Sequence, residues 1–120
     1  MLGELGQIDD DASVCKALRR LLQSAGMEVE TCASADSFLH TARGRDPDCL
    51  VLDIYMPGMS GPELRDRLHA MGRRIPVVFI TAHAEGEMGT TSGQAPVLRK
   101  PFEGQALLDA IRKVIDGDGV

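Results

Sequence analysis

Apolar residues recur along the chain with two different spacings. Near the N-terminus they recur every three or four residues and stop at Gly26, which predicts an amphipathic helix; the positions are Val14, Leu18, Leu21, Leu22 and Ala25. Continuous apolar runs at residues 49–52 and 77–80 are typical of strands that are buried on both faces. Residues 27–32 alternate and residues 97–98 are apolar, so both segments are also predicted to be strands.

Helical segments separate these predicted strands. One helix is predicted to begin at Ser34, and another carries Pro62 in its first turn and buries Leu64, Leu68 and Met71. The last helix is predicted to bury Ala106, Leu107, Ala110, Ile111, Val114 and Ile115. Because strands and helices alternate, we predict an α/β fold: a flavodoxin-like (βα)5 doubly wound parallel sheet with strand order 2-1-3-4-5.

Two regions depart from this regular alternation. Gly3, Gly6 and Gln7 occupy the predicted first strand, where apolar residues are expected, so we expect this strand to be weakened. Residues 85–94 contain three glycines and little apolar periodicity, which predicts a shortened or irregular fourth helix. Residues 1–116 are predicted to form one domain, with a flexible tail or the start of a linker at residues 117–120.

Polar residues follow the apolar runs where each predicted strand ends; they are Asp9, Asp10, Asp53, Thr81 and Lys100. Because the carboxyl ends of parallel strands meet at one edge of a sheet, we expect these side chains to converge there. Three carboxylates repel one another unless positive charge joins them, and Lys100 and a divalent cation are the two available sources. A site of oxygen ligands suits Mg2+, and an aspartate at a strand end can act as a nucleophile toward phosphorus.

Each of these residues also has a simpler explanation when it is considered alone. An aspartate such as Asp53 at a strand end is usually a turn or capping residue, and Asp11 is expected to start the first helix. Thr81 is explained equally well as a cap, and Lys100 as a surface charge. Their joint occurrence at one predicted sheet edge favours a functional site.

Composition and charge argue against several classes of protein. The formal net charge of the 120 residues is -5, which disfavours direct binding to nucleic acid. The three cysteines form no CxxC pair, so a zinc site is disfavoured and reduced thiols in a cytoplasmic protein are expected. No apolar stretch approaches the roughly 20 residues of a membrane span, and no signal peptide is visible.

Four segments of the chain together resemble the receiver domains of response regulators. These segments are IDDD at residues 8–11, DIYMPGMSG at 53–61, ITA at 80–82 and KPF at 100–102. They span nearly the whole chain in the order that the family has, and DIYMPGMSG is the most specific of them. The chain is most similar to receivers that precede helix-turn-helix output domains.

The resemblance implies two-component signal transduction and a role in transcription regulation. It implies that Asp53 receives a phosphoryl group from a sensor histidine kinase. Thr81 is then the switch hydroxyl, and Lys100 contacts the phosphoryl group. Such a domain signals through protein contacts and is not an enzyme. It reaches DNA only through an output domain that residues 1–120 do not include, and a homodimer is left open.

The resemblance also implies a Mg2+ site. Asp10 and Asp53 correspond to direct ligands, Asp9 to a ligand that acts through water, and the backbone carbonyl of Tyr55 to a further ligand. The chain departs from the family in two regions. In the segment before the lysine, Val97 replaces the aromatic residue that receivers usually carry, and the stretch from Thr81 to Lys100 is a few residues shorter than usual and rich in glycine. In the opening strand, glycine and glutamine occupy positions where apolar residues are expected.

Two other functions stay open at this point. The altered segment before Lys100 favours a receiver-like protein-interaction domain that is not phosphorylated. An aspartate-nucleophile phosphatase is disfavoured because such enzymes need a second carboxylate two residues after the nucleophile, where this chain has Tyr55.

Overall fold

Strands and helices alternate throughout the part of the chain that the computed structural model describes, which is residues 3–40, 46–56, 58–81, 95–100 and 102–116. The elements are β1 (Glu4–Ile8), α1 (Ala12–Ser24), β2 (Glu28–Cys32), α2 (Ala35–His40), β3 (Cys49–Asp53), α3 (Gly61–Ala70), β4 (Val77–Thr81), β5 (Val97–Arg99) and α4 (Gly104–Asp116).

The five strands form one parallel sheet in the order β2-β1-β3-β4-β5, which confirms the predicted fold class. β1 lies between β2 and β3, and the chain winds in opposite directions from these two central strands. A crevice therefore opens between the carboxyl ends of β1 and β3, which is where ligands bind in open α/β sheets.

Apolar side chains cover both faces of the sheet and account for the patterns in the sequence. On one face α2 and α3 contribute Phe38, Leu64 and Leu68 to a cluster with residues of β3 and β4. On the other face α1 and α4 contribute Leu18, Leu22, Leu107 and Ile111. Every residue of β3 and β4 is buried, which explains why these two strands are continuous apolar runs.

Polar side chains fix the starts of three helices. Oδ1 of Asp11 accepts hydrogen bonds from the N–H groups of Ser13 and Val14, at 2.9 and 3.3 Å, so Asp11 caps α1 as expected. The Ser34 hydroxyl accepts a hydrogen bond from the Ser37 N–H at 3.1 Å, which confirms the predicted start of α2. At α3, Ser60 and Glu63 form a reciprocal capping box.

The prediction that α3 buries Met71 is wrong. Met71 is 54% exposed because α3 ends at Ala70, and the chain then turns through Gly72, which has a φ of 81°. The helical spacing from Leu64 and Leu68 therefore stops one residue before Met71 is reached.

β1 forms from Glu4 to Ile8 and pairs on both sides despite its unusual composition. The expectation that this strand contributes less to the stability of the sheet stays a prediction. The shortened or irregular helix predicted at residues 85–94 and the tail predicted at residues 117–120 lie outside the described residues. Within the described ranges, no helix combines the length and the hydropathy that a membrane crossing requires.

Candidate functional site

Three carboxylates meet at the crevice between β1 and β3. Asp9 and Asp10 directly follow β1, and Asp53 is the last residue of β3. One carboxylate oxygen from each residue lies within 4.8 Å of the other two. Asp9 is 1% exposed and Asp53 is 7% exposed, whereas Asp10 faces solvent. The result is an acidic pocket that is open to water on the side of Asp10.

Both carboxylate oxygens of Asp9 have partners. Oδ1 accepts a hydrogen bond from the Asp11 N–H at 2.9 Å, and Oδ2 lies 3.2 Å from the ammonium of Lys100. Lys100 directly follows the last residue of β5. Its backbone N–H donates a hydrogen bond to the Thr81 carbonyl at 2.7 Å, which holds the residue near the pocket. The ion pair therefore joins the carboxyl ends of β1 and β5.

Asp53 is held by its strand and by the turn that follows. The Tyr55 N–H donates a hydrogen bond to Oδ1 of Asp53 at 3.2 Å. Burial, and after it the negative charge of Asp9, raise the pKa of Asp53 to about 6, although Lys100 and the Tyr55 N–H oppose the increase. The pocket therefore disfavours a third negative charge, and a bound cation would relieve this.

The residues predicted from the sequence lie at this edge of the sheet. Thr81 is fully buried at the end of β4, one position beyond Ile80, which is the register partner of Asp53 on the neighbouring strand. Tyr55 is 41% exposed, and its hydrogen bond with the pocket is made by its N–H. The structure thus brings Asp9, Asp10 and Asp53 together with Lys100, which pairs with Asp9.

The cysteine Cys15 also touches the pocket, although sequence patterns gave it no role there. Its thiol donates to the Asp9 carbonyl at 3.3 Å, and burial and the charges of Asp9 and Asp11 raise its pKa. It lines a groove of about 410 Å³ beside the carboxylates, whose other lining residues include Lys16, Arg19, Thr31 and Cys32. The raised pKa favours the neutral thiol, which is a weaker nucleophile than the thiolate.

Gln7 is a second residue that sequence patterns did not connect with the pocket. It precedes Asp9 by two positions and therefore lies on the same side of the sheet. Its side chain is fully buried, and neither its amide oxygen nor its amide nitrogen has a hydrogen-bond partner in the described part of the chain. The sequence shows only that a polar residue occupies a position of β1 where an apolar residue is expected. This alone does not reveal that its amide lacks a hydrogen-bond partner.

The donor set fits a small, hard divalent cation. Asp9, Asp10 and Asp53 supply carboxylate oxygens within 4.8 Å of one another, and Lys100 compensates only one of their negative charges. Mg2+ binds through one or two carboxylates and retains water ligands, which matches a pocket that is exposed on one side.

Comparisons with known proteins agree with this architecture. The family described as the response regulator receiver domain matches residues 7–112. The response regulator protein TodT of Pseudomonas putida is 37% identical over 111 residues, which cover 90% of this chain and 49% of TodT. The chain thus spans about half the length of this relative.

Two solved structures are similar in both sequence and fold. A structure of the response regulator StyR is 47% identical with a TM-score of 0.81, and the match covers 94% of this chain and 59% of StyR. The crystal structure of FixJ-N is 32% identical with a TM-score of 0.86, and the match covers 94% of this chain and 93% of that one.

Proposed function

Since this chain belongs to the family of response regulator receiver domains, we propose that its acidic pocket is a phosphorylation switch in which Asp53 accepts a phosphoryl group from a sensor histidine kinase. The observation that carries the proposal is the convergence of Asp9, Asp10 and Asp53 within 4.8 Å beside the ammonium of Lys100. Receiver domains act in signalling and not as catalysts for other substrates, and we propose the same for this chain.

Asp53 is the best acceptor of the three carboxylates. Both oxygens of Asp9 already have partners, in the Asp11 N–H and Lys100. Asp10 lies outside the strand and is exposed, so its position is less well fixed. Asp53 ends a fully buried strand and has a hydrogen bond from the Tyr55 N–H, so its carboxylate is held in one place.

The transfer moves one phosphoryl group between two nucleophiles. A carboxylate oxygen of Asp53 forms a bond to phosphorus while the bond between phosphorus and the kinase imidazole nitrogen breaks. The imidazole nitrogen retains the electron pair and takes a proton from water, and the product is an aspartyl phosphate. Asp53 must be ionised to attack, and a pKa of about 6 leaves it mostly ionised at neutral pH.

Mg2+ is the cofactor that we propose for this pocket. Asp10 and Asp53 would bind the ion directly, Asp9 would bind it through water, and the Tyr55 carbonyl would be a further ligand. Bound there, the ion supplies positive charge to the oxygens of the phosphoryl group. Lys100 supplies a second positive charge from the side of Asp9.

Thr81 and Lys100 are the residues through which we propose that phosphorylation is detected. Lys100 now pairs with Asp9, and a phosphoryl group on Asp53 would compete for the same ammonium. The Thr81 hydroxyl would hydrogen-bond the phosphoryl oxygens. Exchange of these partners changes the charge distribution at the carboxyl ends of β4 and β5, which is the signal passed to a protein partner.

We propose that residues 1–116 form the receiver domain and that residues 117–120 begin a linker or tail. In a longer protein, an output domain would make the contacts with DNA. A cytoplasmic location is proposed because sensor kinases phosphorylate their partners there, and a homodimer is one assembly in which the domain would act.

The test is covalent labelling with a small phosphodonor, acetyl phosphate, in the presence of Mg2+. The wild-type protein should gain one hydroxylamine-sensitive phosphoryl group, and Asp53→Asn should gain none. Asp66→Asn, which changes an exposed carboxylate on α3, is the matched control and should label like the wild type. A wild-type protein that gains no label would instead favour the interaction domain that is not phosphorylated.

A further inference from the structure

Gly61, the first residue of α3, lies directly against the backbone of Asp53. A Cβ atom at position 61 would lie 2.5 Å from the Asp53 carbonyl oxygen and 3.2 Å from its carbonyl carbon. It would also lie 3.2 Å from Cε1 of Phe79. Real Cβ atoms essentially never approach another heavy atom within 3.0 Å, so any side chain at this position must displace its neighbours.

The backbone conformation of Gly61 does not explain why glycine occupies this position. The described glycines with positive φ are Gly3, Gly26, Gly58 and Gly72, so the φ of Gly61 is one that other residues adopt. The close approach to Asp53 is therefore the structural reason for glycine here.

The neighbours of Gly61 have little freedom to move away. The Gly61 N–H donates to the Ile54 carbonyl at 3.0 Å, and the Ile54 N–H donates to the Ile80 carbonyl at 2.9 Å. The capping box of Ser60 and Glu63 fixes the start of α3. Because the strand end and the helix start are both anchored, a new Cβ atom would pass its displacement to the Asp53 backbone.

We propose that Gly61 is a positioning residue for the phosphorylation of Asp53. The missing side chain at position 61 sets the position of the Asp53 backbone, and through it the position of the carboxylate relative to Asp9 and Lys100. This inference rests on the proposed function of Asp53. A displacement of roughly 1 Å at a reacting group lowers the rate of reaction by about 100-fold.

The experiment compares Gly61→Ala with Gly6→Ala, a matched control in β1. A Cβ atom at position 6 would lie 2.7 Å from Cδ2 of Leu50, which is the end of a flexible side chain, and its next neighbours would be Pro47 and Phe38 rather than Asp53. For each variant, the labelling rate at saturating acetyl phosphate, the half-saturating donor concentration and the free energy of unfolding are measured.

Gly61→Ala should lower the saturating labelling rate by about 100-fold and leave the half-saturating donor concentration unchanged. Gly6→Ala should lower the free energy of unfolding and keep the wild-type saturating rate. Equal rate losses in the two variants would overturn the inference, because they would show a general effect of core disruption. The fold of each variant is checked by circular dichroism at the assay temperature.

Four further outcomes are decisive. If the wild type labels and Gly61→Ala labels equally fast, the inference fails while the proposed function stands; if the wild type does not label, the proposed function itself fails. If adding Phe79→Leu restores the rate of Gly61→Ala, crowding of the ring and not of the Asp53 carbonyl is responsible. Gln7→Leu removes a buried amide without a described partner and should therefore stabilise the protein. If Gly61→Ala is unfolded even when combined with Gln7→Leu, Gly61 is a folding residue and the inference is wrong.

Discussion

The ammonium of Lys100 lies 3.2 Å from Oδ2 of Asp9, although 91 positions separate the two residues in the sequence. The Asp9 side chain is fully buried and the Lys100 side chain is 20% exposed. Removing the cationic partner of a buried carboxylate strongly destabilises the folded protein, because the remaining negative charge is neither solvated nor compensated. The ion pair is therefore part of the fold as well as of the candidate site.

Replacing Lys100 by Met should lower the free energy of unfolding at neutral pH by about 2 to 4 kcal/mol. Urea denaturation without Mg2+ measures the change, and Lys113→Met on the exposed face of α4 should alter it by less than about 0.5 kcal/mol. Adding Asp9→Asn to Lys100→Met should recover part of the loss. A Lys100→Met protein as stable as the control would show that Asp9 does not depend on this cation.

The stability of the metal-free protein should depend on pH through Asp53. Its pKa is about 6 in the folded protein and 3.8 ordinarily, so the folded state binds more protons between these values and stability falls as the pH rises through them. In a chelator at about pH 7.5, Asp53→Asn should raise the free energy of unfolding by about 1 to 2 kcal/mol. This gain in the free energy of unfolding should shrink towards about pH 4, because Asp53 is then protonated and neutral in the folded wild type.

Asp66→Asn, at an exposed position on α3, is the control for this pH dependence. The difference between Asp66→Asn and the wild type should not follow the same course with pH. If Asp53→Asn has the same stability relative to the wild type at both pH values, burial and the charge of Asp9 do not raise the pKa of Asp53 as described.

Magnesium should stabilise the fold, and Asp10 should be needed for this effect. A ligand that binds only the folded state raises the free energy of unfolding as its concentration exceeds its dissociation constant. Asp10→Ala should strongly reduce the increase in melting temperature that Mg2+ produces. Asp11→Ala is the matched control, since it removes the α1 cap at a cost of about 0.5 to 2 kcal/mol but should keep the magnesium effect. Equal magnesium effects in wild type and Asp10→Ala would contradict a site at Asp10.

Replacing Gln7 by Leu should stabilise the protein. The amide of Gln7 is fully buried without a hydrogen-bond partner among the described residues, and such a group costs about 1 to 3 kcal/mol. Gln7→Leu should raise the free energy of unfolding by a similar amount, measured by urea denaturation. Gln23→Leu, on the exposed face of α1, should have almost no effect. A loss of stability in Gln7→Leu would indicate that the amide is satisfied in solution.

The sequence was sufficient to predict the sheet order, since the buried runs of β3 and β4 and the alternation with helices restrict the topology. It also predicted which residues gather at the sheet edge, because the strand order brings those strand ends together. The pairing of Lys100 with Asp9 was not predicted, since it depends on which of three nearby carboxylates is buried most completely.

Other features depend on contacts that no local pattern encodes. The exposure of Met71 follows from the place where α3 ends, which helical spacing does not specify. The approach of Gly61 to the Asp53 carbonyl is a tertiary contact between residues eight positions apart, and glycine in a turn-rich segment has many explanations. The amide of Gln7 lacks a partner because of its three-dimensional surroundings, although its position in β1 was visible.

Three consecutive aspartates perform three different tasks at the end of β1. Asp9 is buried against Lys100, Asp10 faces solvent beside Asp53, and Asp11 caps α1. An insertion or deletion of one residue in this run would move every carboxylate into its neighbour's environment. During evolution, residue 11 should therefore accept Ser, Thr or Asn, which also cap helices, whereas the number of residues between β1 and α1 should not vary.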